Sequence, residues 1–303
     1  DGRTPPGAGI PALQLVASDE EVTIAGRSFQ AIPIVHGKRP AHGWRSGGFA
    51  YLTDVSSVPA ASRDLLGDLD LLIVSALRDL PPGHRLAVIW PETAVPFLLP
   101  NDREARQLVA GALPQNTLLL TGTVRGDFTP AGYASDLYNS LAVIGPDTQV
   151  IAVADKMNLV PFGEYMPFRG LLPIRLVQSS RDFTPAEERR RLVAGWLPPF
   201  VALICYEVIF TGRVTPARRP DWIVNVTNDA WFGITAGPWQ HLASARLRAV
   251  EEGLPLARAA QTGVSAVFDS RGRLVTRGPL GESAVILAPL PAPREPTLFA
   301  HFG

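Results

Sequence analysis

Three reactive side chains stand at, or just after, the ends of apolar segments that the sequence predicts to be strands. Glu92 and Lys156 each follow such a segment, and Cys205 ends another. The carboxyl ends of strands are where active sites assemble in open α/β sheets. Separations of 64 and 49 residues mean that three different elements must bring these side chains together. The segments are 86–90, 150–154 and 201–205.

These residue types suit acyl transfer through a cysteine nucleophile. A thiol attacks an acyl carbon as the thiolate, so it needs a base, and Glu92 would take the proton. Lys156 and the backbone N–H of Tyr206 would stabilise the negative oxygen of the tetrahedral intermediate. A Cys–His pair has weaker support, because none of the five histidines lies in a comparable strand context. His241 is expected to start a helix or to fill packing space.

The composition is that of a globular protein without a charge preference for its partners. Of 303 residues, 46% are hydrophobic, and 28 Lys and Arg balance 28 Asp and Glu, so we expect no nucleic-acid partner. Cys205 is the only cysteine, which excludes an internal disulfide and a multi-cysteine zinc site. We expect neither a cofactor nor a metal. No apolar run approaches the ~20 residues that a membrane helix needs, and the start at Asp1 suggests a piece of a longer protein.

From about residue 85 onward, apolar strands and amphipathic helices alternate, which predicts a layered α/β sandwich. One helix is predicted from Asp102 to Leu113, with Asn101 as the candidate N-cap, and another from about 241 to 252. A hairpin turn is predicted at 269–272. The second helix would share an apolar face of Leu242, Ala245, Leu247 and Val250. The strands are expected at 86–90, 117–121, 140–144, 201–205, 222–227, 264–269 and 284–288.

The first 80 residues follow a different pattern. Segments 22–24, 29–35 and 49–52 alternate like antiparallel strands separated by Gly-rich turns such as Gly47-Gly48. A helix at about 60–80 would follow, although 71–74 fits a strand equally well. We therefore predict a divergent N-terminal region, 1–80, before a catalytic domain at 81–303. The first region either completes the sandwich or forms a separate element.

Five segments together resemble the nitrilase superfamily of carbon–nitrogen hydrolases. They are 90–94 (WPETA), 155–156 (DK), 161–165 (PFGEY), 205–207 (CYE) and 225–233 (NVTNDAWFG). The branch of apolipoprotein N-acyltransferases is the most similar, on 138–140 (YNS), 162–167 (FGEYMP) and 237–242 (GPWQHL). The segments recur in the expected order over about residues 85–303.

The resemblance implies an αββα four-layer sandwich and a catalytic triad of Glu92, Lys156 and Cys205. Glu164 and Glu207 would support it, beside Tyr206. The implied reaction moves an acyl chain from a phospholipid to the cysteine and then to the N-terminal amine of a lipoprotein. The implied place is the periplasmic side of the bacterial inner membrane, in contact with the membrane surface.

Some residues have two interpretations that the sequence leaves open. Trp231, Phe232 and Trp239 are candidates for lining a lipid-chain pocket, with core filling as an equal alternative. The cluster 189–191 (RRR) is expected to be a solvated face rather than a site for anionic lipid. A soluble amidase that releases its acyl group to water, and an inactive chimeric or binding module, remain alternatives to the acyltransferase.

The sequence departs from the family pattern in two ways. The resemblance implies membrane helices before and after the domain, and neither is present, so an isolated catalytic domain is expected. The strand that would run into Gln-Gly-Asn has 33–37 (PIVHG) in its place. Residues 49–56 instead resemble a piece of the metallo-β-lactamase fold, in which Asp54 would bind metal. Because no His-x-His-x-Asp-His sequence accompanies it, we expect no working metal site.

Overall fold

A computed structural model describes most of the chain, which divides into two compact units between residues 76 and 77. Asp54 and the Gly47-Gly48 turn lie outside the described residues. The described ranges are 21–24, 27–36, 39–46, 49–52, 60–66, 71–74, 85–95, 97–113, 116–167, 182–233, 235–281 and 284–302.

The first unit contains one five-stranded sheet in sequential order. The first four strands pair antiparallel, and the last pairs parallel with its neighbour. A short helix, α1 (Ala60–Arg63), and a 3₁₀ turn (Asp64–Leu66) connect the parallel pair. The strands are β1 (Glu21–Ile24), β2 (Arg27–His36), β3 (Arg39–Ser46), β4 (Phe49–Leu52) and β5 (Leu71–Val74).

The first unit corrects two expectations. β3 was not predicted, because its sequence RPAHGWRS has no apolar alternation. The long helix at 60–80 is wrong and the strand at 71–74 is confirmed, since Gly67 weakens a helix and Ile73-Val74 favour a strand. Completion of the sandwich by residues 1–80 remains a prediction.

The second unit contains two sheets. The four-stranded sheet runs in sequential order, with its first pair parallel and the others antiparallel. Its strands are β6 (Leu86–Trp90), β7 (Thr117–Phe128), β8 (Ala134–Ile144) and β9 (Val150–Asp155). The six-stranded sheet is also sequential, and its central strands are parallel. Its strands are β10 (Arg191–Leu192), β11 (Phe200–Ile204), β12 (Trp222–Asn228), β13 (Leu256–Gln261), β14 (Ala266–Phe268) and β15 (Leu274–Arg277).

Strand alternation builds four layers from these two sheets. Successive side chains of a strand point to opposite faces, so one face of each sheet meets the other sheet. The inner core contains Leu118, Leu120, Leu141, Val143, Phe200, Ala202, Ile204, Val224 and Val226. On one outer face, Leu119 and Ile144 pack on α2 (Arg103–Ala112). On the other, Val201 and Leu203 pack on α3 (Gly237–Glu252). The predicted αββα arrangement is confirmed.

Details of the helices differ from the expectation. Asp102, rather than Asn101, caps α2 through the amide of Ala105, while the Asn101 side chain pairs with the backbone of Gly126. On α3, Leu242, Ala245 and Ala249 are buried in steps of three and four. Leu247 and Val250 are 53% and 42% exposed, because neither stands three or four residues from the buried positions on the same face.

The end of the chain is less regular than predicted. The turn 269–272 joins β14 and β15, as expected. Residues 284–288 form no strand, and Val285 and Leu287 are 71% and 65% exposed. A last short helix is α4 (Leu298–Phe302). None of the helices in the described ranges is long and apolar enough to cross a bilayer.

Candidate active site

The nucleophile candidate lies where a central strand ends. β11 is continuously buried, and Cys205 leaves it to begin a 3₁₀ helix (Cys205–Ile209). Its backbone has φ of 54°, a left-handed conformation that costs a non-glycine residue about 1–2 kcal/mol. Such strain persists only where the surroundings hold it in place. The thiol is therefore presented by a backbone that the rest of the site must stabilise.

The predicted convergence of three elements is present in the structure. Glu92, just after β6, and Lys156, just after β9, are 6% and 1% exposed, and Cys205 is 8% exposed. Lys156 Nζ lies 3.5 Å from Glu92 Oε1 and 2.9 Å from Glu164 Oε1. One buried ammonium thus stands between two buried carboxylates.

Asn139 of β8 joins the same cluster. Its Nδ2 lies 2.7 Å from Glu92 Oε1 and 2.6 Å from Glu164 Oε1. Backbone amides donate to the other oxygen of each carboxylate. Asn228 N–H donates to Glu92 Oε2 at 2.9 Å, and Val160 N–H donates to Glu164 Oε2 at 2.7 Å. Buried carboxylates with this many donors are fixed in position.

The charges around Lys156 keep it protonated. Burial alone lowers the pKa of a lysine, but the negative charges of Glu92 and Glu164 outweigh burial and raise the pKa of Lys156 above its ordinary value. The ammonium is thus available as a fixed positive charge for an oxyanion.

The Cys205 thiol is neutral at rest. Burial, followed by the charge of Glu92, raises its pKa to about 12, although Lys156 and the Thr227 hydroxyl act in the opposite direction. A hydrogen bond with Glu92 adds to this rise in the pKa of the thiol. A thiol in this state attacks only if a base removes its proton during the reaction, and Glu92 is the carboxylate in place for that step.

Glu207 ties the nucleophile to the lysine segment. It is 1% exposed, accepts from Ile204 N–H at 2.8 Å, and accepts from Met157 and Asn158 N–H at 2.9 and 3.1 Å. Arg189 pairs with it at 3.1 Å. The carboxylate therefore links the residue before Cys205 with the residues that follow Lys156.

The arginine cluster corrects the sequence interpretation. The Arg189 side chain is only 9% exposed because of its contact with Glu207, so the solvated-face prediction is wrong for this residue. Arg190 is 68% exposed and lies 3.7 Å from the exposed Glu188, as expected of a surface residue.

A second buried network holds the backbone of Cys205. The Cys205 carbonyl accepts from Asn225 Nδ2 at 3.4 Å and from His241 Nε2 at 3.2 Å. His241 Nδ1 lies 2.9 Å from Asp229 Oδ1, and Arg258 donates to Asp229 Oδ2 at 2.6 Å and to the Asn225 amide oxygen. Burial alone raises the pKa of an aspartate, but the hydrogen bond from His241 and the charge of Arg258 lower the pKa of Asp229.

Gly122 of β7 lies against the loop that carries Glu92. A Cβ at this position would lie 2.4 Å from Glu92 Cα and 2.5 Å from the Pro91 carbonyl oxygen. The Gly122 carbonyl also accepts from Ala94 N–H at 3.2 Å. Only a glycine permits this close approach, and the approach fixes the backbone position of Glu92.

The aromatic candidates lie at the surface. Trp231 is 83% exposed, and Phe232 and Trp239 are 41% and 40% exposed, so Trp231 does not fill the core. Trp231 and Phe232 belong to a 3₁₀ helix (Asp229–Phe232) that directly follows Asn228, the residue whose N–H binds Glu92. Trp239 lies in the first turn of α3, under the guanidinium of Arg277.

Tyr206 also lies beside the lysine. Its hydroxyl donates to the Leu159 carbonyl at 2.8 Å, and its ring centroid is 5.5 Å from Lys156 Nζ. The predicted oxyanion role of its backbone N–H remains a prediction.

Several functional residues escaped sequence reasoning. Asn139, Asp229, His241, Arg189 and Arg258 are polar residues whose partners come from distant parts of the chain. His241 was expected to start a helix or to fill packing space, but α3 begins at Gly237 and the His241 ring contacts the backbone of the nucleophile. Asn139, Asp229 and His241 lie inside recognised segments, and that position is the one signal that could have drawn attention to them. Over the described ranges, no group of three or more metal-ligating side chains is present.

The sequence also matches a known protein family and several of its members. The family model described as carbon-nitrogen hydrolase matches residues 64–295. The chain is 45% identical over 222 residues to an apolipoprotein N-acyltransferase of Rhodopseudomonas palustris, covering 71% of this chain and 41% of that protein. A Bradyrhizobium diazoefficiens protein of the same name is 46% identical with the same coverage. The chain therefore spans less than half the length of these relatives.

Among solved structures, the carbon-nitrogen hydrolase of Helicobacter pylori G27 matches with a TM-score of 0.46 at 13% identity. That match covers 65% of this chain and 74% of the other.

Proposed function

Because the chain belongs to the carbon–nitrogen hydrolase family, we propose that it transfers an acyl chain from a phospholipid to the N-terminal amine of a lipoprotein. The observation that carries the proposal is that Glu92 and Lys156 are buried 3.5 Å apart and that both charges act on the pKa of the buried Cys205 thiol. Glu92 is the base, Lys156 the oxyanion partner and Cys205 the nucleophile.

The first half-reaction forms a thioester. Glu92 takes the thiol proton as the sulfur attacks the ester carbon of the phospholipid, and the negative oxygen is stabilised by Lys156 and the Tyr206 N–H. Collapse of the intermediate breaks the ester C–O bond. The leaving alkoxide takes the proton from Glu92 and departs as the alcohol of a lysophospholipid.

The second half-reaction regenerates the free enzyme. The neutral amine attacks the thioester carbon, Glu92 takes one of its protons, and the C–S bond breaks to give an amide. The thiolate then regains the proton from Glu92. A thiolate leaves more readily than an alkoxide, which suits an intermediate that a second nucleophile must resolve.

Surface aromatics support a lipid as the acyl donor. Trp231 and Phe232 are exposed and belong to the 3₁₀ helix that directly follows Asn228, whose N–H binds Glu92, and Trp239 is 40% exposed. Phe162, two residues before Glu164, is also 55% exposed. Exposed apolar rings in segments that adjoin Glu92 and Glu164 offer contact area for an acyl chain or a membrane surface. The name of the relatives, apolipoprotein N-acyltransferase, supports transfer of an acyl chain to a lipoprotein amine. We place this reaction, as part of the proposal, at the periplasmic face of the bacterial inner membrane.

An amidase that releases its acyl group to water is the second candidate. The family match favours it equally, because the same thiol, base and ammonium serve amide hydrolysis. The two functions differ in the donor that loads the cysteine and in the acceptor that unloads it.

Intact mass spectrometry of the protein incubated with phospholipid vesicles tests the proposal. We expect one long-chain acyl adduct, lost on adding a peptide with a free, lipidated N-terminal cysteine. Because Cys205 is the only cysteine, Cys205→Ala must remove the adduct, and Cys205→Ser is expected to load far more slowly. Loading by short amides but never by phospholipid would favour the amidase. A protein that no donor loads would be a binding module.

A further inference from the structure

Asn139 contacts both carboxylates of the site, yet the acyl-transfer roles above do not use it. It is 3% exposed, and its Nδ2 lies 2.7 Å from Glu92 Oε1 and 2.6 Å from Glu164 Oε1. An amide NH₂ group has two donors, so a single group serves both acids. The opposite orientation would place the amide oxygen against two carboxylates, so the hydrogen-bond network itself assigns the nitrogen to this position.

The contacts of Glu92 indicate what Asn139 contributes. Lys156 Nζ is 3.5 Å from Glu92 Oε1 but 2.9 Å from Glu164 Oε1, so the ammonium is held mainly by Glu164. The shortest side-chain contact of Glu92 Oε1 is therefore the one with Asn139. Together with Asn228 N–H on Oε2, this amide fixes the rotation of the Glu92 carboxylate.

The oxygen of the Asn139 amide differs from its nitrogen in its contacts. Asn139 Oδ1 is buried and has no hydrogen-bond partner within the described parts of the chain. A buried amide that only stabilises the fold normally uses both its donor and its acceptor. Here every side-chain hydrogen bond goes to the two carboxylates.

We propose that Asn139 is a positioning residue that orients Glu92 for removing the Cys205 proton and leaves Lys156 free for the oxyanion. Because Asn139 donates a hydrogen bond to Glu92 Oε1, the Lys156 ammonium can turn toward a negative oxygen and that carboxylate oxygen still keeps a donor. The inference rests on the proposed roles of Glu92 and Cys205. It adds a residue that acts only through the base.

A double-mutant cycle on the alkylation rate of Cys205 by iodoacetamide at pH 7 tests this role. Asn139→Ala and Glu92→Gln should each slow alkylation roughly 10-fold or more, because a misplaced or missing base no longer assists the thiol. If Asn139 acts through Glu92, then adding Asn139→Ala to Glu92→Gln should change the rate less than twofold. The inference would be overturned if the rate losses of the two single variants multiplied in the double variant. An unchanged alkylation rate in Asn139→Ala would also overturn it.

Two further variants make the outcome decisive. Asn101 also makes two side-chain hydrogen bonds, with Gly126, and none with the triad, so Asn101→Ala should leave alkylation within twofold of the parent. If Asn139→Ala fails to fold, Asn139→Asp keeps the volume and replaces the donor by an acceptor, with the same expected result. Alkylation of Cys205 needs no phospholipid. A protein that never forms an acyl adduct would therefore contradict the proposed function, while the alkylation rates would still test the role of Asn139.

Discussion

Two buried polar clusters meet at Cys205, and they differ in which part of the residue they contact. The first cluster (Glu92, Lys156, Glu164 and Asn139) faces the thiol, and its members are linked mostly through side chains. The second cluster (Asn225, Asp229, His241 and Arg258) contacts the carbonyl of Cys205. The difference teaches that reactivity and strain are handled by separate groups. In the proposed mechanism the first cluster moves a proton at sulfur, whereas the second cluster holds an unfavourable backbone.

The largest expected effect separates the clusters by activity. Glu92→Gln keeps the shape but removes the proton acceptor, so acyl loading of Cys205 should fall by ~10²–10⁴-fold. Lys156→Met should lower it by ~10²–10³-fold through loss of the oxyanion partner. Mass spectrometry over time measures both rates. A folded variant of either residue that loads at the parent rate would show that the residue does not hold the role given to it.

The next effect separates the clusters by stability. Asp229→Asn leaves the Arg258 guanidinium buried without its carboxylate, and breaking such a pair typically costs ~3–5 kcal/mol of unfolding free energy. Urea unfolding followed by tryptophan fluorescence measures this change. Arg273→Ala is the matched control, because its pair with Asp269 is exposed and should be worth under ~1 kcal/mol. Equal losses in the two variants would remove the distinction between the clusters.

The smallest effect measures the strain itself. Cys205→Gly and Cys205→Ala both lack the thiol, but only glycine accepts a φ of 54° without cost. We expect Cys205→Gly to be more stable than Cys205→Ala by ~1 kcal/mol, although glycine also raises the entropy of the unfolded chain. Denaturant midpoints of the two inactive variants give the comparison. An alanine variant as stable as the glycine variant would mean that the backbone at Cys205 is relaxed.

Sequence reasoning reached the first cluster better than the second. Glu92, Lys156 and Cys205 stand at strand ends in separate apolar segments, so their convergence was predictable and is present in the structure. The αββα layers were likewise implied by the recognised segments. Asp229 and His241 lie inside recognised segments, but their pairing with each other and with Arg258 was not anticipated, because no local pattern marks side chains that pair across 12 to 29 residues. Pairing of that kind is decided by tertiary packing.

The sheet of the first unit shows where strand prediction from the sequence fails. β2 and β4 follow apolar alternation and were anticipated, whereas β3 carries two arginines, a histidine and a proline and has no such signal. Its strand conformation is imposed by the antiparallel neighbours on both sides. Strand propensity of the single segment could not reveal this.

Gly122 has a consequence for how this sequence can vary. In most strand interiors a glycine is replaceable, and a larger residue there strengthens the sheet. At Gly122 the limit is imposed by a neighbouring main chain, since a methyl group would meet Glu92 Cα at 2.4 Å. The tolerance of β7 to substitution is therefore set by the position of a carboxylate on another segment. Gly122, which has no side chain, thus limits where the backbone of Glu92, the proposed base, can lie.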